Sequence, residues 1–198
     1  MDNQDDRNKI PDSASQSLGS LILDLGKIFL LGLMVVLGTR LFIFQPFVVS
    51  GSSMEPNFRQ GDYLIIDEIT YRFREPERGE VIVLRFPQDP SQFFIKRVIG
   101  LPGEKVVIAN NKVKVTQEAG KTTTLSEEYL LPGTLTPGSE AITLDQGEYF
   151  VLGDNRVASS DSRSWGILKR KNIVGKAWLK LFPIAHAALI PQPDYSAP

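Results

Sequence analysis

The sequence predicts a mainly β protein carried behind one N-terminal transmembrane helix. Three observations predict it. A long apolar run sits close to the N-terminus. Beyond residue 50 the chain is a series of short segments rich in Val, Ile, Leu and Phe, separated by Pro, Gly and Asn. No long segment in that region carries a helical period.

The elements follow in chain order. Residues 1–20 are polar, rich in Asp, Asn, Gln and Ser, and read as a disordered tail. Residues 28–38 are wholly apolar or glycine, and 41–49 nearly so, with Arg40 and Gln45 interrupting. A spanning helix needs about 20 residues, and 28–47 meets that length, so 21–47 is predicted as the anchor. Arg40 can snorkel to the interface, and Asp24 and Lys27 mark the near end. Residues 29–31 and 33–37 are apolar on every side, unlike a half-exposed core helix. A cleaved secretory signal fits less well, because the apolar stretch is long and the segment before it is not positive. Arg7, Lys9 and Lys27 precede the span, which leans the N-terminus to the inside.

Strands are predicted over 63–69, 80–86, 93–99, 105–109, 112–115, 148–152 and 173–182. Asn110-Asn111 lies between two alternating runs and reads as a hairpin turn, since Asn tolerates positive φ. Residues 116–146, rich in Thr, Gly, Pro and Glu, read as an irregular insertion. The β domain is therefore expected over 48–198.

Composition removes several classes of function. The 198 residues carry 22 basic and 23 acidic side chains, a net charge of −1, without the basic stripe that nucleic-acid binding needs. There is no cysteine, so disulfides, thiolate metal sites and a Cys nucleophile are excluded. The single histidine, His186, makes a zinc site improbable. No cofactor or metal is expected.

Three segments carry candidate chemistry. The first is Gly51-Ser52-Ser53-Met54-Glu55-Pro56, just after the anchor. Gly permits close backbone approach and Pro56 restrains the turn, so a serine here can face a cavity. Ordinary loop chemistry explains the same residues. A serine nucleophile also needs a base. His186 has no carboxylate near it in sequence and reads as an incidental tail residue. Lys96 lies in Phe93-Phe94-Ile95-Lys96-Arg97-Val98-Ile99. Strand alternation puts it on one face with Phe94 and Val98, with Arg97 on the other. An apolar face lowers a lysine pKa, and a base working near pH 7–8 needs a fall of about three units from 10.4. A snorkelling edge-strand lysine is the alternative. The third segment is Gly153-Asp154-Asn155-Arg156, continuing through Ser159, Asp161, Ser162 and Arg163 to Trp165-Gly166. It reads either as a salt-bridged turn or as a support that orients the base.

These three segments, in this order, resemble the boxes of the type I signal peptidase (leader peptidase) family. Gly51 to Pro56 resembles its nucleophile box, 94–103 its lysine box, and 153–166 its Gly-Asp-Asn-Arg and Asp-Ser-Arg box. Arg78-Gly79-Glu80-Val81-Ile82-Val83 resembles a further strand box, with Glu80 where Asp is frequent. The likeness covers roughly 46–182. It implies a membrane-bound serine endopeptidase that cuts signal peptides from secreted preproteins. It implies that Ser53 attacks, neutral Lys96 takes the proton, Ser159 orients the amine, and Asp161 pairs with Arg163 in support. Small side chains one and three residues before the cut would enter shallow apolar pockets. The Ser53 backbone N–H would be one oxyanion donor. Some members add a serine hydroxyl two residues before the nucleophile, where this chain has Gly51, so the second donor stays open. Val157 and Ala158 replace residues that are often polar in the third box. The implied partners are preproteins and the lipid bilayer. The catalytic domain would lie on the outer (periplasmic or lumenal) side of a bacterial plasma membrane or an internal photosynthetic membrane.

Rival readings are a self-cleaving Ser/Lys regulator, a Ser-His-Asp hydrolase using His186, and an inactive membrane-tethered β-domain that binds peptides. The first would lack the anchor and the Asp-Ser-Arg box. The second makes His186 essential. Intact Ser53 and Lys96 argue against the third.

Overall fold

The computed structural model describes residues 13–42, 44–182, 187–193 and 195. His186 and residues 1–12 lie outside them. The chain divides into two units, residues 1–42 and 43–198.

The first unit is the helix α1 (Ser13–Phe42). Its stretch Gly19–Val36 is long and apolar enough to cross a bilayer, and none of it is buried. Lys27 Nζ pairs with Asp24 Oδ1 at 3.0 Å, one turn away. The helix differs at both ends from the expectation. Residues 13–20, read as tail, are helical. Residues 44–47, read as the end of the anchor, belong instead to a strand, β1 (Phe44–Val48). Pro46 explains the second difference. It has no N–H to donate, and it drives the residue before it out of the helical region. As β1 is an edge strand, the missing donor is tolerated there.

The second unit is built on two sheets. Its strands are β1, β2 (Tyr63–Asp67), β3 (Val81–Phe86), β4 (Asp89–Gly100), β5 (Lys105–Ala109), β6 (Lys112–Thr116), β7 (Thr122–Thr124), β8 (Ala141–Thr143), β9 (Glu148–Leu152), β10 (Leu168–Lys169), β11 (Ile173–Phe182) and β12 (Ala188–Leu189). Two short helices, α2 (Thr70–Phe73) and α3 (Ser162–Trp165), lie between them. The larger sheet runs β1-β2-β11-β3-β4-β9-β10, with β12 on β11. The smaller runs β7-β6-β5-β8. Every described pairing is antiparallel.

The larger sheet curls. In a flat sheet β1 and β4, four places apart, would be about 19 Å from each other at ordinary strand spacing. Yet the rings of Phe47 on β1 and Phe93 on β4 meet edge to face, 5.5 Å between centroids. The curl buries both faces of β3. Val81 and Val83 pack with Met54, Phe58, Leu64 and Ile66. Ile82 and Leu84 pack with Val98, Tyr149, Val151 and Leu168. A third cluster, including Val106, Ile108, Val113 and Val115, joins the smaller sheet to Ile99, Phe150 and Leu152.

Asn110 and Asn111 turn β5 into β6 with φ of 51° and 59°, closing the register Ala109↔Lys112. This is the two-residue hairpin that the sequence predicts. Asn111→Val is expected to cost about 1–2 kcal/mol, because a β-branched residue resists positive φ. Asn111→Gly should not, and urea titration of the two variants checks the difference.

The stretch 116–146 is less irregular than its composition implies. It ends β6 and contributes β7 and β8, while 125–140 carries no strand or helix. Arg156, only 1 % exposed, pins it. Its guanidinium donates to Glu127 at 2.5 and 2.9 Å, to Thr136 Oγ1 at 2.7 Å and to Tyr129 Oη at 2.9 Å.

Candidate active site

Ser53 is held by a turn whose shape its neighbours dictate. Gly51 has φ 88°, a conformation that other residues resist. Glu55 N donates to Ser52 O and Phe58 N to Met54 O. Met54 and Phe58 are buried against Leu64, Val81 and Val83, which anchors the turn from below. Ser53 itself stays half-buried, facing a cleft of about 350 Å³. Its backbone N–H makes no hydrogen bond among the described residues.

Lys96 comes from the middle of β4, opposite Ile82 of β3. Its side chain is almost wholly buried. Nζ lies 2.9 Å from Ser53 Oγ and donates to the Ile95 carbonyl at 2.8 Å. It also sits 5.1 Å from the centre of the Phe94 ring. Burial brings its pKa down from 10.5 to about 8, against the opposing pull of Asp161 and Asp154.

The loop after β9 closes the third side. Gly153 N donates to Asp161 Oδ2 at 3.0 Å, and Asn155 N to Ser53 O at 3.0 Å. Asn155 Nδ2 reaches Ser52 O at 3.1 Å. A β-carbon at Gly153 would collide with the Ser53 carbonyl and Ser159 Oγ, so only glycine lets the loop approach this closely. Asp161 is fully buried. It accepts two bonds from the Arg163 guanidinium, at 2.8 and 2.7 Å, and caps α3 through Arg163 N. The bidentate form adds direction to the pair.

One expected contact is absent. Ser159 does not hydrogen-bond Lys96. Among the described residues its Oγ is buried and has no partner. The lysine amine instead turns to the carbonyl of its own strand neighbour, Ile95, and Ser159 packs over Gly153. That carbonyl had no signature in the sequence, because every residue has one.

The structure also brings in residues that the sequence did not single out for the site. Arg97, on the face of β4 away from Lys96, forms a buried bidentate pair with Asp154, at 2.8 and 2.6 Å. Asp154 also accepts from Asn57 Nδ2 at 2.8 Å, and its N–H points at Met54 Sδ at 3.4 Å. The Lys96 strand, the Ser53 turn and the third loop thus share one polar knot. Adjacent Lys96-Arg97 was the available signal, since alternation must send one of the two into the core on each face.

A turn that presents the Ser53 hydroxyl, a buried amine of suppressed charge beside it and a cleft with apolar walls are the parts a hydrolase site needs. Comparison with known proteins agrees. The family model for signal peptidase, peptidase S26, matches residues 22–182. A probable signal peptidase I-2 of Synechocystis sp. is 38% identical over 175 residues, covering 85% of this chain and 77% of that one. A signal peptidase I of Leptolyngbya laminosa is 36% identical over 174 residues, covering 83% and 82%. One from Pseudomonas aeruginosa is 31% identical over 203 residues, covering 80% and 72%. The chain belongs to the peptidase S26 signal peptidase family, and it is a peptide-bond hydrolase.

Proposed function

We propose that the chain is a membrane-anchored endopeptidase that removes signal peptides from secreted preproteins, with Ser53 as nucleophile and neutral Lys96 as general base. The separation of 2.9 Å between Nζ and Oγ carries this reading, since a general base must lie within hydrogen-bond reach of the proton it takes.

The chemistry runs as an acyl transfer. Ser53 Oγ attacks the scissile carbonyl carbon while Nζ takes the hydroxyl proton. The tetrahedral adduct collapses, the C–N bond breaks, and the ammonium returns that proton to the leaving amine. Water then attacks the Ser53 ester with Lys96 again as base, releasing the acyl product and restoring the hydroxyl. The unpartnered Ser53 N–H is available to the developing oxyanion. Asp161 with Arg163, and the knot around Asp154, hold the three segments in register. Ser159 stays in the proposal as a positioning group. An unpaired buried hydroxyl is costly, so Ser159 is expected to gain a partner when the site fills.

The cleft suits an extended peptide. Pairing of β4 with β9 begins only at Arg97, so the edge of β4 before it is open on that side. A substrate strand can add there. Phe47, Leu64, Val83 and Ile95 supply apolar walls for small side chains before the cut. Gly19–Val36 would span the bilayer. Arg7 and Lys9 lie before this span and favour an inside N-terminus and an outer catalytic domain.

The pH profile of preprotein cleavage tests the base. The neutral amine is the active form, and it fills as pH rises through about 8. The rate is expected to climb about tenfold per unit below that point and to level above it. A rate unchanged from pH 6 to 10 would remove Lys96 from the role.

A further inference from the structure

A second groove, of about 590 Å³, lies beyond the nucleophile turn, lined by Glu55, Pro56, Leu131, Leu135, Asn155 and Val157 among others. Two segments of chain separate it from the cleft. In the nucleophile turn, 51–53 line the cleft and Glu55 and Pro56 line the groove, with Met54 buried between. In the loop after β9, Ala158 and Ser160 line the cleft, and Asn155 and Val157 the groove. Asn155 ties the two segments together through its bonds to Ser52 O and Ser53 O.

Groove and nucleophile are close. Ser53 and Glu55 are two Cα steps apart, at most about 7.6 Å. An extended peptide covers that in two to three residues. Three apolar side chains of the lining are open, Leu131 60% exposed, Leu135 57% and Val157 78%, and the exposed charged residues Glu55 and Arg59 line the groove beside them. Its floor is polar but satisfied, since Asp154 is held by Arg97 and Arg156 by Glu127. The surface therefore offers apolar contact from Leu131, Leu135 and Val157, with one charge of each sign, Glu55 and Arg59, beside them.

This inference rests on the Ser53 reading above. If the acyl half of a substrate lies along β4 in the cleft, the leaving half starts beside Ser53, within two to three residues' reach of the groove. We infer that the groove binds that leaving half, seating the second to fourth residues after the cut on Leu131, Leu135 and Val157, and that it favours apolar side chains there. These contacts vanish when the leaving segment departs, so they act on formation of the acyl-enzyme and not on its hydrolysis.

The test uses the full chain in detergent and peptides identical through the cut. They carry Leu, Ser or Asp at the second to fourth positions after it. A p-nitroanilide ending at the cut, which cannot reach the groove, normalises each protein. The Leu peptide is expected to exceed the Ser peptide about tenfold in kcat/KM, the scale on which apolar pockets discriminate. In Leu131→Ser/Leu135→Ser that ratio should fall towards one. In Leu135→Lys the Asp peptide should gain on the Leu peptide. A ratio near one with the unaltered protein, or an unchanged ratio in the variants, overturns the inference. Cleavage by Ser53→Ala would overturn the Ser53 reading instead, so the two failures are told apart.

Discussion

Lys96→Met is expected to abolish cleavage while making the protein more stable at neutral pH. The loss follows from the geometry: Nζ is the described amine within reach of Ser53 Oγ, and a positioned general base contributes about 10²–10⁴-fold. Ser53→Ala should be at least as damaging. The two residues act as a unit, so the double variant should be no slower than the worse single one. The gain in stability follows from burial. The folded state holds the amine near pKa 8 instead of 10.5. Folding therefore costs most below pH 8, where the unfolded lysine is charged and the folded site resists that charge. The cost fades as pH rises from 8 to 10.5. It corresponds to roughly 3 kcal/mol at pH 7, offset by about 1 kcal/mol for the Ile95 carbonyl left without its donor. Denaturant titrations at pH 7 and pH 10.5 should show the advantage of Met at the first and its loss at the second. Residual cleavage by Lys96→Met above about a hundredth of the unaltered rate would sink the assignment.

Asp154→Ala is expected to give the largest loss of stability. Asp154 is buried and takes two bonds from an almost equally buried Arg97, plus one from Asn57. Removing one partner strands a guanidinium in the interior, at about 3–5 kcal/mol. For a domain of this size that lowers Tm by roughly 10 °C. Activity should fall as well, because the same residue seats Met54 and leads into Asn155, which holds Ser53. Arg97→Met/Asp154→Ala should recover part of the stability, since the stranded charge is gone. The comparison that matters is thermal melting of the double against the single variant. A single variant within 1 kcal/mol of the unaltered protein would mean that solvent reaches the pair.

Most strands were legible because period and punctuation are local. Residues 105–109, 148–152 and 173–182 are strands with the bounds that the apolar runs suggested. The Asn110-Asn111 turn was equally local. The errors came where one signal hid another. Apolar content extended the anchor through 44–47, although Pro46 forbids a helix there. Polar composition made 116–146 look structureless, yet β7 and β8 form there because the edges of β6 and β5 offer partners. Ser159 was assigned a contact by resemblance, and the amine found a nearer acceptor in its own strand.

The sequence alone determined the candidates. No cysteine, one histidine and the order of the three boxes left Ser53 and Lys96 as the pair to examine, and alternation along β4 put Lys96 among apolar neighbours. Only the tertiary structure decided that the two meet. They are 43 positions apart in the chain, and what joins them is the curl of the large sheet and the Arg97–Asp154 knot. Both depend on packing between strands distant in sequence, and no local pattern encodes a distance between such strands. The pKa of Lys96 belongs to the same level, because burial is a property of the assembled core and not of the residue.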